Sequence, residues 1–122
     1  MTLNFTSEVP IYLQIAGSIE DDILKGIFEE ETQIPSTTEI SLNYKVNPAT
    51  VAKGYSLLTD SGIIYKKRGV GMFVCEGAKE NLLQKRRSNF YETYIISLLE
   101  EARRLNIGID DIITMLERGK EQ

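Results

Sequence analysis

The fold is decided by residues 34–62 of the chain, IPSTTEISLNYKVNPATVAKGYSLLTDSG. Near the start of this stretch, Ser36 and Glu39 have the spacing of a capping box, in which two side chains satisfy unpaired N–H groups of a helix start. A second helix is expected to begin at Asn47-Pro48, because a capping residue there precedes a proline in the first helical position. The closing Ser-Gly pair suits the end of that helix. Two capped helices joined by a turn of roughly three or four residues predict a helix-turn-helix.

Directly after this motif, the sequence predicts a β-hairpin. Two β-prone runs within residues 63–75 flank the sequence Arg68-Gly69-Val70-Gly71, which is rich in the glycine that tight turns need. A hairpin that follows the second helix of a helix-turn-helix is a wing. We therefore expect a mainly α-helical fold with a small β-hairpin wing, a winged helix-turn-helix.

Helices are also expected on either side of this motif. Upstream, Pro10 and Gly26 stand where a helix commonly starts and ends, and isoleucine recurs between them every four residues, as on the buried stripe of a helix. Downstream, residues 77–122 are mostly helical by composition, with Asp110 as the expected cap of a last short helix. The sequence thus predicts a winged domain at residues 1–76 and a C-terminal helical tail at residues 77–122.

The tail carries an apolar stripe with the spacing of a coiled-coil seam. Its members alternate in steps of four and three: Tyr91, Ile95, Leu98, Ala102 and Leu105. One interpretation is a seam that binds a second subunit, which would make the tail the dimer interface. The other is packing of the tail against its own winged domain. We favour the first interpretation, so a homodimer is expected.

The net charge of −4 conceals a basic middle segment. Residues 1–44 contain eight acidic residues and one basic residue, whereas residues 45–75 contain five lysines and arginines against Asp60 alone, a net charge of +4. Binding to a polyanion depends on the local field and not on the total charge. A nucleic-acid site is therefore expected within the helix-turn-helix and the wing.

The composition disfavours other classes of function. The chain has no histidine, the commonest metal ligand and general base, and its single cysteine, Cys75, is expected to be a small apolar strand residue. No cofactor, metal site or catalytic residue is therefore predicted. No apolar run approaches the roughly 18 residues that a membrane span needs, and the N-terminus lacks the pattern of a secretory signal. A cytoplasmic protein with no membrane partner is expected.

A helix-turn-helix binds DNA by placing the start of its second helix in the major groove. The residues at that start are Asn47, Ala49, Thr50 and Lys53. Asparagine can pair with adenine, threonine can contact a thymine methyl group or a phosphate, and lysine can contact guanine or a phosphate. These four residues are the expected DNA contacts of the second helix.

The wing is expected to contact the DNA backbone. Lys66, Lys67 and Arg68 are consecutive bases that lead into Gly69 and Gly71, whose lack of a side chain lets the main chain approach a phosphate closely. A winged helix that binds only protein partners does not require this basic, glycine-rich hairpin. Such a protein-interaction module without DNA binding is the alternative hypothesis.

Several segments taken together resemble the GntR family of bacterial regulators. They are PIYLQIA at residues 10–16, IPS at 34–36, VNPATVAKGY at 46–55 and GIIYKKRGVGMFV at 62–74. The NPATVAK segment and the short tail are similar to the YtrA subfamily. The resemblance implies a dimeric winged-helix repressor that binds inverted-repeat operators in double-stranded DNA, often in an operon with its own gene and ABC transporter genes. A separate ligand-binding domain is not implied, but the dimer cleft could hold a small-molecule effector, for which the sequence names no residues.

Four positions depart from the wider family. Thr38, Pro48 and Ala52 stand where many relatives have arginine, so DNA contact is expected to depend more on Lys53, on the wing and on backbone amides at the helix starts. At the start of the first helix of the motif, the residues expected to contact DNA are Ser36, Thr37 and Thr38. Gly54 stands where alanine is common and costs about 1 kcal/mol of helix propensity, which close helix packing would explain.

Overall fold

Residues 1–120 are described by the computed structural model, and they form six α-helices and three β-strands. In chain order these are α1 (Ile11–Leu24), β1 (Gln33–Ile34), α2 (Thr37–Tyr44), α3 (Pro48–Asp60), β2 (Ile64–Lys67), β3 (Gly71–Val74), α4 (Ala78–Phe90), α5 (Ile96–Arg104) and α6 (Ile109–Gly119). A π-helical turn, Tyr91–Ile95, connects α4 to α5. The winged helix-turn-helix fold expected from the sequence is confirmed. The chain divides into two compact units, residues 1–84 and the residues from 85 onward.

The helix starts of the helix-turn-helix are capped as the sequence predicts. The Ser36 hydroxyl accepts a hydrogen bond from the Glu39 N–H at 3.0 Å, and the Ser36 N–H donates to the Glu39 carboxylate at 3.2 Å. At the start of α3, Asn47 Oδ1 accepts from the Ala49 N–H at 2.8 Å. Between the helices, Lys45 adopts a left-handed conformation with φ of 54°. The chain can therefore reverse within the three residues that separate α2 from α3.

A three-stranded antiparallel sheet contains the predicted hairpin and one strand that was not predicted. The strand order is β1-β3-β2, so β3 lies in the middle. In the wing hairpin, Lys66 pairs with Met72, and in the added strand Ile34 pairs with Met72 from the other side. Strand β1 has only two residues, which is too short for the alternating pattern by which a strand is recognised in a sequence.

The core of the first unit lies between α1, α3 and the sheet. The isoleucine row of α1 supplies Ile15, Ile19 and Ile23, all at most 2% exposed, and α3 supplies Val51 and Leu58 among its buried residues. The two helices approach closely at Gly54. A Cβ atom there would lie 2.8 Å from the backbone carbonyl oxygen of Tyr12, so the close packing that would explain this glycine is present.

The first unit extends further along the chain than the predicted boundary after residue 76. Ala78 and Leu82, in the first turns of α4, are buried in the same core as α1 and α3. The start of α4 is also held by Glu30, whose carboxylate accepts hydrogen bonds from the Gly77 N–H at 2.7 Å and the Lys79 N–H at 3.2 Å. Residues 77–84 are thus part of the winged domain's packing. The assignment of separate roles to the domain and the tail stays a prediction.

The second unit contains the rest of α4, the π-helical turn, α5 and α6. Helix α5 ends before Asn106, which has a positive φ of 56°, as expected from the Asn-Ile-Gly break. The prediction that Asp110 caps the last helix is wrong. Gly108 occupies the cap position, its N–H donates to the Asp111 carboxylate at 3.4 Å, and Asp110 lies within the first turn. No helix within residues 1–120 is long and apolar enough to cross a membrane.

Candidate nucleic-acid interface

The start of α3 carries the four residues that are predicted to contact DNA bases, and one of them, Asn47, also caps the helix. Asn47, Ala49 and Lys53 are exposed, and Thr50 is half-buried. The Asn47 side-chain oxygen, Oδ1, accepts the helix-capping hydrogen bond from the Ala49 N–H. Bidentate pairing with adenine would need that same oxygen as an acceptor for the base. The Asn47 side chain is therefore better placed to donate through its amide group while it keeps the cap.

Lys53 is held against the first helix of the domain. Its Nζ lies 4.0 Å from the centroid of the Tyr12 ring, within the range of a cation–π interaction. Tyr12 belongs to α1, 41 positions earlier in the chain, and the sequence offered no way to pair the two side chains. The contact limits the conformations of a long, flexible side chain and leaves the ammonium group exposed at the surface.

The start of α2 combines backbone donors with one acidic side chain. Ser36 and Thr37 are half-buried, and Thr38 is exposed. The capping box satisfies the Glu39 N–H, so the amides of Thr37 and Thr38 are the donors of this turn that a phosphate could approach. The Glu39 carboxylate lies at the same helix end and opposes an anion there. The start of α3 has no acidic side chain, but its amides are already used, because Pro48 has no N–H and the Ala49 and Thr50 N–H groups donate to Asn47. A phosphate contact at the start of α3 would therefore be made by side chains.

The three consecutive bases of the wing do not share one face. In the hairpin register, Lys66 lies on the face of the sheet that also carries the buried Ile64 and Val74, whereas Lys67 lies on the opposite face. Lys67 Nζ lies 4.7 Å from the centroid of the Phe73 ring on that outer face. Arg68 follows in the exposed turn. Only part of the positive charge of this run can therefore face one DNA backbone.

The wing turn depends on glycine at two positions. Gly69 has φ of +77° and Gly71 has φ of +147°, both in the region that residues with a side chain rarely adopt. The turn is closed by a hydrogen bond from the Val70 N–H to the Lys67 carbonyl at 2.9 Å. From strand β1, the Gln33 side-chain amide donates to the Val70 carbonyl at 3.0 Å. These contacts give the exposed turn a specific conformation.

Helix α3 is also tied to the segment that precedes α2. The Tyr55 hydroxyl donates a hydrogen bond to the Pro35 carbonyl at 2.5 Å. The Tyr55 side chain is buried, and this burial, with a smaller effect of the Glu39 carboxylate, raises the pKa of its phenol above the ordinary value of 10. The phenol therefore remains a donor to the Pro35 carbonyl even at a pH where an ordinary tyrosine begins to ionise.

The predicted dimer residues differ in their exposure. Tyr91, Leu98 and Leu105 are exposed, Ile95 is half-buried, and Ala102 is only 7% exposed within a single chain. The π-helical turn also interrupts the regular spacing on which the predicted seam depends, because it adds a residue to one turn. Ala102 is thus already covered by its own chain. The remaining residues stay candidates for the interface.

An apolar groove lies between α5 and α6 within the second unit. Its volume is about 320 Å³, and its lining is almost entirely apolar, with Leu98, Leu105 and Leu116 at its exposed side and the buried Ala102 and Ile112 among its other lining residues. Three residues of the predicted seam, Leu98, Ala102 and Leu105, therefore belong to one wall of the groove, and α6 supplies the other wall. The sequence indicated the apolar character of α6 but not its place beside α5.

The contacts that the sequence did not indicate join residues far apart in the chain. Tyr12 contacts Lys53, and Gln33 contacts the wing turn, in each case across more than 35 positions of the chain. Glu30 caps α4 across 47 positions. Capping boxes and hairpins leave a local pattern in a sequence, whereas such contacts depend on how the elements pack.

Comparisons with known proteins agree with this architecture. The family model for bacterial regulatory proteins of the gntR family matches residues 11–74, which is more than half of the chain. The chain is 31% identical over 121 residues to the HTH-type transcriptional repressor YtrA of Bacillus subtilis, with 94% of this chain and 93% of YtrA covered. It is also 31% identical over 121 residues to the HTH-type transcriptional regulator YhcF of the same organism, with 98% and 100% covered.

A solved structure shows the same fold over nearly the whole chain. It is a transcriptional regulator of the GntR family from Bacteroides thetaiotaomicron, with 40% sequence identity and a TM-score of 0.71. The alignment covers 91% of this chain and 96% of that chain. The chain therefore belongs to the GntR family of bacterial regulatory proteins, and it is a DNA-binding transcription regulator similar to YtrA and not an enzyme.

Proposed function

We propose that the protein is a transcriptional repressor that binds an inverted-repeat operator as a homodimer. The observation that carries the proposal is the position of the basic segment. Residues 45–75, with a net charge of +4, fold into the turn of the helix-turn-helix, α3 and the wing. The similarity to a protein described as a repressor supports the direction of regulation. DNA binding would place the protein in the cytoplasm, where bacterial chromosomes lie.

In the proposed complex, the start of α3 enters the major groove and the wing contacts the backbone. Ala49, Thr50 and the Lys53 ammonium group face the bases, while Asn47 caps the helix and donates through its amide. Arg68 in the exposed turn is the wing residue that we expect to contact a phosphate first, with Lys66 and Lys67 on opposite faces of the strand that leads to it. Sequence preference therefore depends mainly on α3 and electrostatic affinity mainly on the wing.

The tail is the proposed dimer interface. Large apolar side chains are exposed along it, including Tyr91, Leu98, Leu105, Ile113 and Leu116. Because these side chains are already about half buried within one chain, burying the rest in an interface would contribute about 1 kcal/mol each. The groove between α5 and α6 offers a surface into which side chains of a second copy could insert. A two-fold symmetric dimer would then present two α3 helices to two half-sites.

A footprint on the DNA upstream of the protein's own gene tests this proposal. We expect protection of an inverted repeat with half-sites about one helical turn, roughly 34 Å, apart. The genes that we propose as regulated are those of its own operon, with ABC transporter genes among them. Protection of one asymmetric half-site would contradict the dimer. An absence of protection, together with no retention on heparin at moderate salt, would favour the protein-interaction module.

A further inference from the structure

The side chain of Gln33 joins strand β1 to the wing turn. Its Nε2 donates a hydrogen bond to the Val70 carbonyl oxygen at 3.0 Å, across 37 positions of the chain. Gln33 pairs with Phe73 in the sheet register, so its side chain lies on the outer face together with Phe73 and Gly71. The hydrogen bond therefore reaches along this face from the edge strand to the turn that carries Arg68.

The wing leaves space for this amide by having glycine at position 71. A Cβ atom on Gly71 would clash with Gln33 Nε2 and would lie 3.3 Å from Gln33 Cδ. The amide thus occupies the position that a side chain at residue 71 would take. Gln33 and Gly71 form a matched pair, in which the absence of one side chain allows the other to reach the Val70 carbonyl.

The residues that follow Gln33 contact the other DNA-binding elements. Ile34 is buried in the core, the Pro35 carbonyl accepts the Tyr55 hydroxyl of α3, and the Ser36 hydroxyl caps α2. We call residues 33–36 the junction segment. Within four consecutive residues, it makes contacts with the wing turn, with α3 and with α2.

We propose that Gln33 is a positioning residue for DNA binding, which holds the wing turn at a set place relative to the helix-turn-helix. The inference rests on the proposed DNA contact of the wing. Without the Gln33 amide, the turn keeps its charges, but its conformation is less restricted. Ordering it on the DNA then costs conformational entropy, and affinity falls although no DNA-contacting group has been removed.

The first test needs no DNA. Gln33→Met keeps the length of the side chain and removes its donor. We expect amide hydrogen exchange at residues 68–71 to become about fivefold faster or more, with exchange in α1 and α3 unchanged. Gln14→Met is the matched control, because Gln14 also donates to backbone carbonyls, those of Asn4 and Val9, away from the wing. Unchanged exchange at the turn in Gln33→Met would overturn the proposal.

The second test separates positioning from charge. We expect Gln33→Met to weaken binding to a random-sequence duplex of about 30 base pairs by roughly five- to tenfold, with an unchanged salt dependence. Arg68→Ala should instead reduce the salt slope by about one unit. The double variant should bind no more weakly than Arg68→Ala alone, because Gln33 acts through the turn. A reduced salt slope in Gln33→Met, or additive effects in the double variant, would contradict the positioning role.

A second variant guards against an unrelated defect of Gln33→Met. Gln33→Leu also removes the donor and leaves Gly71 and its positive φ unchanged, so it should reproduce both the faster exchange and the weaker binding. If Gln33→Leu leaves the exchange at residues 68–70 as slow as in the wild type, the role of the Gln33 amide is wrong. If the wild-type protein binds no DNA at all, the proposed function fails, and the exchange experiment still decides whether Gln33 holds the turn.

Discussion

Close contacts of single residues explain two features of α1 and α3 that their sequences leave open. Gly54 lies where a Cβ atom would meet the backbone of α1, and Lys53, its neighbour, lies over the Tyr12 ring of the same helix. One side of α3 is therefore packed to backbone distance against α1. The adjacent residue, Lys53, has an ammonium group whose position depends on its contact with Tyr12 of α1. Both effects can be measured by single substitutions.

Substitution of Gly54 by alanine is expected to destabilise the protein. Alanine is the better helix former by about 1 kcal/mol, but its Cβ would lie 2.8 Å from the Tyr12 carbonyl oxygen. Forcing the helices apart typically costs about 1–3 kcal/mol, so after the gain in helix propensity a net loss of up to about 2 kcal/mol is expected in urea unfolding. Gly17→Ala is the control, because Gly17 in α1 has open space around its Cβ position and should gain stability. Equal gains from both substitutions would show that close packing does not determine Gly54.

Substitution of Tyr12 is expected to act through Lys53. Tyr12→Leu removes the aromatic face, whereas Tyr12→Phe keeps it. A cation–π contact at an exposed site contributes about 0.5–1 kcal/mol, so operator affinity should fall roughly two- to fivefold in Tyr12→Leu and stay unchanged in Tyr12→Phe. Binding titrations in a Lys53→Ala background should show no further loss from Tyr12→Leu. A persisting loss in that background would mean that Tyr12 acts independently of Lys53.

Among the secondary-structure elements, α4 is notable because its start depends on a side chain from a distant loop. Glu30 accepts hydrogen bonds from the Gly77 and Lys79 N–H groups, and these bonds hold the pKa of its carboxyl below the ordinary value of 4.5. A carboxylate at a helix N-terminus is also favoured by the helix dipole. The first turns of α4, with Ala78 and Leu82 in the core, are thus fixed from outside the helix.

This cap predicts a dependence of stability on pH. Because the folded pKa of Glu30 lies below 4.5, its contribution is present above that pH and is lost as the pH falls through the lower folded value. Glu30→Gln should therefore lower the melting temperature near pH 7, and the difference from the wild type should shrink as the pH approaches about 3. Thermal melts across this range provide the measurement. Melting curves that keep a constant separation at all pH values would indicate that the Glu30 charge does not contribute.

At the scale of the whole molecule, the two units carry different kinds of surface. The first unit has a continuous apolar core and the basic segment, and seven of its large apolar side chains are exposed, whereas the described part of the second unit, less than half as long, exposes nine. Exposed apolar surface of this extent commonly marks a site of protein association. The tail is thus the better candidate for dimerisation, while the first unit has a core of its own.

Truncation at two positions tests whether the first unit folds alone and whether the second unit forms the dimer. A chain of residues 1–84 retains Ala78 and Leu82 and should be folded but monomeric in sedimentation experiments. A chain of residues 1–76 loses both side chains from the core. Loss of a buried leucine alone typically costs about 2–5 kcal/mol, so a large drop in thermal stability is expected by circular dichroism. A dimer of residues 1–84 at about 10 μM protein, a concentration typical of such measurements, would place the interface within these residues and not in α5 and α6.

The sequence by itself determined the elements whose signals are local. The Ser36–Glu39 capping box, the Asn47-Pro48 helix start and the glycine-rich hairpin each leave a pattern within a few residues, because capping and tight turns involve near neighbours. The basic charge of residues 45–75 and the family resemblance could also be predicted, because both depend only on which residues follow one another in the chain. The predicted cap, Asp110, is one residue away from Asp111, whose carboxylate accepts the hydrogen bond from the Gly108 N–H. This error is within the usual uncertainty of helix ends.

Only the tertiary structure decided which distant residues meet. Strand β1, the Gln33 contact with the wing turn, the Tyr12 contact with Lys53 and the burial of Leu82 join parts of the chain that are far apart in sequence. Such contacts leave no periodic pattern, because they arise only when whole elements pack against one another. The role of Gly54 shows the distinction: as a helix residue it is unfavourable, and only the position of the Tyr12 carbonyl explains it.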